Sequence, residues 1–355
     1  MDGPDARRGL GPDGVGFPKR THEAPVAYKD GMSVSTAPNE LWSKIEVLQD
    51  LESKVKELME AHEQKRPLWF PDDLLRPEPG ECPERALADL RERARGIPDS
   101  ARAALALNLL TEEGLPHFHR LLAVYLGDES FWREWNNLWT AEEDRHGTVI
   151  RDYVRDTRLL DQRCLEAMQY SYLRSGFHPA WDRDPYRVFA YTTVQERATQ
   201  QSHGETGKVV SDYEPRLAAI LTNVAGEEAR HFSFYRTIFE EILKRDPDQA
   251  LESAACILPS IEMPGHTMPG FREIADVIRR AGIYGPWDYL RIVQEQIRYW
   301  KIEGLTGLNE LGRKAQEKIL EIPERLRRIA EYIEAKSKAK TFTFEVVFNR
   351  EFAME

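Results

Sequence analysis

One arrangement of residues occurs twice in this chain and restricts its fold more than anything else in it. Glu112 is followed 31 residues later by Glu143-Asp144-Arg145-His146, and Glu196 is followed 32 residues later by Glu228-Ala229-Arg230-His231. Each half is a lone Glu, a long gap, then Glu-x-x-His. On a helix, positions i and i+3 share a face, so each Glu-x-x-His presents a carboxylate beside an imidazole. Four carboxylates and two imidazoles brought from four helices into one bundle core make the ligand set of a carboxylate-bridged di-iron site. Hard carboxylates with few imidazoles suit iron that handles O2. The expectation is an all-α chain with a buried metal site.

Neighbouring acids leave choices open. Glu142 and Glu227 stand four residues before His146 and His231, and that spacing also allows chelation from a helix. Glu112 is followed directly by Glu113; Leu105 and Leu109, seven and three residues before Glu112, favour it as the inward acid. Around Glu196, Thr192, Thr193, Thr199 and His203 form a polar, uncharged stripe on the same helical face. Thr199 is placed to donate a hydrogen bond or relay a proton there.

The rest of the chain fits a helical bundle. Apolar residues recur at three- and four-residue steps from Leu41 to Leu58, with Asn39 as a candidate cap. Prolines from Pro67 to Pro83 predict an irregular segment that contains Trp69. Helical patterning covers about 84–96, 99–126, 130–157, 161–174, 186–208, 213–244, 272–281, 286–302 and 308–338, and about eleven helices are expected. Only the tail, 341–355, alternates like a strand, through Phe342, Phe344, Val346 and Phe348. Residues 1–39 are rich in Gly and Pro and read as a disordered arm ahead of a domain over 40–340. That arm lacks the apolar run of a secretory signal, and its acids disfavour an intact transit peptide.

Composition excludes other classes. A net charge of −11 disfavours a general nucleic-acid binder. Three scattered cysteines, Cys82, Cys164 and Cys256, make neither a disulfide framework nor a structural zinc site and point to a reducing compartment. No run of apolar residues reaches membrane-spanning length.

Several stretches resemble the soluble acyl-acyl carrier protein desaturases of plants and actinobacteria. They are Leu110-Thr-Glu-Glu-Gly-Leu-Pro116, Trp139-Thr-Ala-Glu-Glu-Asp-Arg-His-Gly147, Gln195-Glu-Arg-Ala-Thr199, Gly226-Glu-Glu-Ala-Arg-His231 and Leu305-Thr-Gly-Leu308. The likeness covers about 41–350 and implies a ferritin-like di-iron bundle, usually a homodimer. Position by position it implies that Glu112, Glu143 and His146 hold one iron and Glu196, Glu228 and His231 the other, with Glu143 and Glu228 bridging. Glu142 and Glu227 then fall outside the ligand set, suited to accept a hydrogen bond from a ligating His on the facing helix. Thr199 matches a residue near the O2 site. Trp69 matches a surface Trp implied to pass electrons inward through His146 and Glu227. Asp144, Glu227 and Ala229 depart from the plant pattern outside the ligand positions.

The implied chemistry is O2-dependent removal of two hydrogens from a methylene pair, which forms a cis double bond in a C16–C18 acyl chain on acyl carrier protein. Ferredoxin is the implied electron donor, and the double bond is expected at the ninth carbon. Unactivated C–H bonds have no usable acidity, so acid–base catalysis alone cannot break them. Leu121, Tyr125, Pro179, Val188 and Phe189 are candidates for the acyl channel wall. Lys54, Lys56, Lys65 and Arg66 are candidate contacts for the acidic carrier. The rival readings are another di-iron oxidase, including a radical-generating subunit with Tyr191 or Tyr235 near the metal, and a non-catalytic iron-binding protein. A bacterial cytoplasm is the expected location, with a plastid stroma as the alternative.

Overall fold

Proline and short polar caps divide the chain into helices. The computed structural model describes residues 38–125, 130–179, 181, 183–261, 265–266 and 268–355. In order, the helices are α1 (Pro38–Asp50), α2 (Glu52–Lys65), α3 (Pro71–Leu75), α4 (Pro83–Arg95), α5 (Asp99–Glu112), α6 (Leu115–Ala123) and α7 (Phe131–Thr157). Then follow α8 (Gln162–Ser175), α9 (Pro185–Val210), α10 (Pro215–Arg245), α11 (Pro247–Ile257), α12 (Phe271–Arg280), α13 (Pro286–Tyr299) and α14 (Glu310–Lys336). Side chains at the helix starts accept orphan backbone N–H groups. Ser130 does so for α7, Asp161 for α8, Asp184 for α9, Glu214 for α10 and Asn309 for α14. Pro185 and Pro215 sit at the first positions of α9 and α10, where a missing N–H costs nothing.

The segments exceed the expected eleven for local reasons. The stretch expected as one helix over 99–126 turns at Glu113–Gly114, because Pro116 cannot continue the backbone ladder. A Cβ at Gly114 would overlap the Tyr172 hydroxyl, so only glycine fits that turn. The irregular 67–83 segment contains the single-turn α3, and α11 fills a stretch for which no helix was expected. Its signal was the Asp246-Pro247 start, with Asp246 accepting from Gln249 N. The helix α1 begins at Pro38, so Asn39 lies within it rather than capping it. The rest of the expected N-terminal arm lies outside the described residues.

The long helices α7, α9 and α10 run 27, 26 and 31 residues and, with α5, surround the centre of the bundle. Two apolar clusters fill its halves. One takes Trp132, Trp135 and Trp139 from the first half of α7, Val188 to Ala198 from α9 and Phe234 to Leu243 from the second half of α10. The other takes Val149 to Val154 from the second half of α7, Leu217 to Val224 from the first half of α10, and the face of α5 from Ala101 to Leu110. Between them, at mid-helix, lies a layer of buried acids and histidines. The tail folds back as an antiparallel pair, β1 (Lys340–Phe344) and β2 (Arg350–Met354), with Phe342 opposite Phe352. Phe342, Val346 and Val347 pin it to the second cluster.

Candidate metal centre

The polar layer is built from one acid of α5, an acid and a histidine of α7, one acid of α9, and an acid and a histidine of α10. Glu112, Glu143, His146 and Glu228 bring one ligand atom each within 4.8 Å of one another, and so do Glu143, Glu196, Glu228 and His231. Glu143 and Glu228 belong to both groups. His146 Nδ1 lies 3.4 Å from Glu228, 3.5 Å from Glu143 and 3.7 Å from Glu112. His231 Nδ1 lies 2.8 Å from Glu143, 3.6 Å from Glu196 and 4.0 Å from Glu228. Glu112 and Glu113 part company at the end of α5. Glu112 faces this layer, whereas Glu113 pairs with Arg151.

Ordinary protein hydrogen bonding does not satisfy these groups. His146 Nδ1, His231 Nδ1, Glu143 Oε1, Glu228 Oε2 and both oxygens of Glu196 are buried without a hydrogen-bond partner. The 2.8 Å approach of His231 to Glu143 lacks hydrogen-bond geometry. Burying such groups unpaired costs several kcal/mol each, so converging orphan atoms of this chemistry fit a bound cation. The electrostatics agree. Burial, and then the charges of Glu228 and Glu143, push the Glu196 carboxyl well above its usual range. Burial opposes charge on His146 and His231, but the surrounding carboxylates outweigh it and raise both imidazoles well above their ordinary value. Burial would likewise raise Glu112, yet His146 and His203 hold it low. The acidic cluster demands positive charge, and without metal only protons supply it.

A surrounding ring of side chains orients the two histidines. His146 Nε2 is 3.0 Å from Glu227 Oε2, and Arg145 donates to the other Glu227 oxygen at 2.8 Å. His231 Nε2 is 2.8 Å from Glu142 Oε2. That same oxygen meets His62 Nε2 at 2.9 Å, while Arg66 donates to Glu142 Oε1 at 2.7 Å. Each Nε2 is thereby occupied, which leaves each Nδ1 aimed at the acids. The sequence assigned no role to His62, which no spacing rule links to the repeat. Nor did it assign one to His203, which holds Glu112 Oε1 at 2.7 Å and stood on the polar stripe of α9.

Trp69 is not a surface residue. It is only 6% exposed and stacks on His146, and Arg145 bonds its carbonyl and covers its ring. Its neighbours Leu68 and Phe70 take the exposed positions. The Thr199 hydroxyl donates to the carbonyls of Gln195 and Glu196 at 3.3 and 3.1 Å. Tyr235, one turn beyond His231, is fully buried, and burial together with the charge of Glu196 raises its phenol.

A groove of about 520 Å3 leads to the layer, lined by Asn108, Thr111 and Thr199 near it and by Tyr284, Tyr289 and Ile329 farther out. A chamber of about 20 Å3 adjoins it, lined by Glu112, Glu143, Glu228 and Thr199 among others. The five residues expected along the channel line neither cavity. Leu121, Val188 and Phe189 are core, Pro179 is buried, and Tyr125 is half-buried against that core. The expected basic contacts are also placed elsewhere. Arg66 is bound to Glu142, Lys54 pairs with Glu57 and Lys56 with Glu60; Lys65 ends α2, and none of the four lines the groove. The groove instead carries Arg272, and also Arg279 paired with Asp276 at 2.7 Å.

A helical bundle with acids and histidines converging at its centre defines a ferritin-like protein able to hold metal. This chain belongs to the family described as fatty acid desaturase, whose model matches residues 43–348. Stearoyl-[acyl-carrier-protein] 9-desaturase of Ricinus communis is 33% identical over 325 residues, covering 87% of this chain and 82% of that protein. Palmitoyl-[acyl-carrier-protein] 4-desaturase 3 of Ophrys sphegodes is 34% identical over 328 residues with the same coverage. The fold is shared with the X-ray structure of DesA2 from Mycobacterium tuberculosis H37Rv, with a TM-score of 0.56 at 20% identity, over 76% of this chain and 98% of that one. Among the described residues no helix is long and apolar enough to cross a membrane.

Proposed function

We propose that this protein is an O2-dependent acyl-[acyl-carrier-protein] desaturase that introduces a cis double bond into a saturated acyl chain. The observation that carries the reading is the joining of two features at Thr199, the converging unpartnered acids and histidines and the apolar groove. Glu112, Glu143 and His146 would hold one iron, Glu196, Glu228 and His231 the other, with Glu143 and Glu228 shared, since both belong to the two groups. When bound, a di-iron centre supplies an O2-derived oxidant strong enough for unactivated C–H bonds.

The chain's own residues do the rest. Glu142 and Glu227 hold the two imidazoles with Nδ1 inward, so the site is formed before metal arrives. The groove removes the acyl chain from water and lines it up past Thr199. The Thr199 hydroxyl, now bonded to backbone carbonyls, lines both cavities and is one rotation from offering its proton toward the chamber. Buried Trp69 and its stack on His146 supply a path for electrons from outside, with ferredoxin the proposed donor. The thioester-linked carrier stays outside, and Arg272 at the groove suits its acidic surface. Preference for C16–C18 chains, a bond at the ninth carbon, a homodimer and a bacterial cytoplasm complete the proposal.

The test is direct. Purified protein is incubated with stearoyl- and palmitoyl-carrier protein, ferredoxin, its reductase, NADPH and O2, and any double bond is located by mass spectrometry of derivatised fatty acids. The absence of unsaturated product at every chain length would refute the reading. Sedimentation of the same preparation reads the oligomeric state.

A further inference from the structure

Two helices line both cavities and give the groove a direction. From the chamber outward, the wall passes from Glu112 and Thr111 to Asn108 on α5, and from Gln195 and Thr199 to Ser202 on α9. Asn108 and Ser202 line the groove but not the chamber, so they stand about one helical turn from the acidic layer. The wall beside them is mostly apolar, with Leu107, Ala198, Ile278 and Leu326 among its residues.

This one turn of the groove is polar, and its hydrogen bonding is incomplete. Asn108 is 5% exposed. Its Oδ1 accepts from Ser202 Oγ at 2.8 Å and its backbone carbonyl accepts from Thr111 Oγ1 at 2.8 Å, but its Nδ2 is buried without a partner. Turning the amide over does not help. Ser202 would then accept from Nδ2, and Oδ1 would be the bare end. A hydrocarbon chain lying along this turn offers the amide nothing and shuts out water, and a buried amide end left unmet is costly. A hydroxyl both donates and accepts, so it satisfies the bare end in either orientation, whereas a carbonyl satisfies only one of them. The amide needs only a turn about its terminal torsion, which is broad, to meet a group in the groove.

We propose that Asn108 is a subsite for a hydroxyl group carried on the acyl chain. Helix geometry sets the position. Asn108 stands four residues before Glu112, about 6 Å along α5, and an extended chain advances about 1.2 Å per bond. The preferred substrate therefore carries its hydroxyl about five carbons from the reacting pair, on the carboxyl side that occupies the groove. The thioester of a chain oxidised at the ninth carbon lies farther out and does not compete for the amide. The inference rests on the desaturase reading and deepens it by naming a substrate class, saturated hydroxyacyl chains on the carrier.

The test binds carrier-linked stearoyl chains to the metal-free protein. One chain is plain, and the others carry a single hydroxyl moved a carbon at a time along the carboxyl half. One position should bind about tenfold tighter than the plain chain, with affinity falling away on both sides of it. The maximum should vanish in Asn108→Leu, and also in Asn108→Ala, which removes the amide without filling its space. Tyr284→Phe deletes another unpartnered hydroxyl of the same groove, farther out, and should leave the maximum in place. A plain chain that binds as well as every hydroxylated one would overturn the proposal, because a retained water then meets the amide. A maximum that survives both Asn108 variants would overturn it as well. A hydroxyl maximum lost in those variants, with no unsaturated product from any chain, would uphold the subsite and refute desaturation. Unsaturated product with no hydroxyl preference would refute the subsite and keep desaturation.

Discussion

Trp69 lies flat over His146, with ring planes 6° apart and centroids 6.5 Å apart, and both side chains are buried. One face of this indole meets the imidazole that reaches into the acidic layer, while Leu68 and Phe70 on either side are more than half exposed. The stack thus sets a second buried ring against the imidazole, one residue away from exposed side chains on either side. Trp69→Ala should destabilise the fold by about 3–5 kcal/mol through the lost packing. Trp69→Phe keeps an aromatic ring there and should fold. Stopped-flow reduction of the loaded site should then slow several-fold with a protein donor and stay unchanged with a small chemical reductant; equal slowing with both would remove Trp69 from the path.

Sharing of acids between the two groups predicts unequal metal losses. Glu143 and Glu228 belong to both groups, whereas Glu112 belongs to one and Glu196 to the other. Glu143→Ala should empty both positions and abolish activity, while Glu112→Ala should keep metal at the Glu196–His231 side. Metal content per chain by mass spectrometry separates the cases. Full occupancy in Glu143→Ala would refute the ligand assignment.

Glu142 is the hub of four side chains, with His231 and His62 on one oxygen, Arg66 on the other, and Arg145 at 3.8 Å. Removing it leaves buried donors without an acceptor. Glu142→Ala should cost about 3–5 kcal/mol in stability, read by thermal or denaturant unfolding. Glu142→Gln keeps the shape but not the charge, and should weaken metal binding about 10- to 100-fold. Unaltered metal affinity in Glu142→Gln would mean that His231 is oriented by packing alone.

The raised imidazoles give a pH dependence with a definite sign. Without metal, His146 and His231 hold protons above the ordinary value of 6.5, so their stabilising contribution is present below 6.5 and is lost as pH rises through the raised values. Metal competes for the same nitrogen and is favoured as the proton leaves. The gap in Tm between loaded and metal-free protein should therefore widen as pH rises above 6.5. A gap independent of pH would show that the imidazoles are not the competing groups.

Much of the centre was legible in the chain because helical spacing is a local property. Glu143 with His146 and Glu228 with His231 share a face wherever those segments are helical, and the clusters beside them are built from the same helices. The groove was not legible. Its walls come from α5, α9, α12, α13 and α14, which meet only when the bundle closes, and no periodicity within one element records that. Leu121, Val188 and Phe189 have the apolar character of a channel wall, but that character is equally the character of core, and packing made them core.

The sequence alone determined that this chain is helical, that it carries two matching acid–histidine pairs, and which family its words belong to. Tertiary structure decided what faces what. It chose Glu112 over Glu113 by pairing the latter with Arg151, and it brought His62 and His203 from distant positions onto Glu142 and Glu112. It also buried Trp69 against His146 and set Phe118 in the chamber wall. The division follows from range. Spacing along a helix is set within a few residues, whereas cavities and hydrogen-bond partners depend on how whole helices pack.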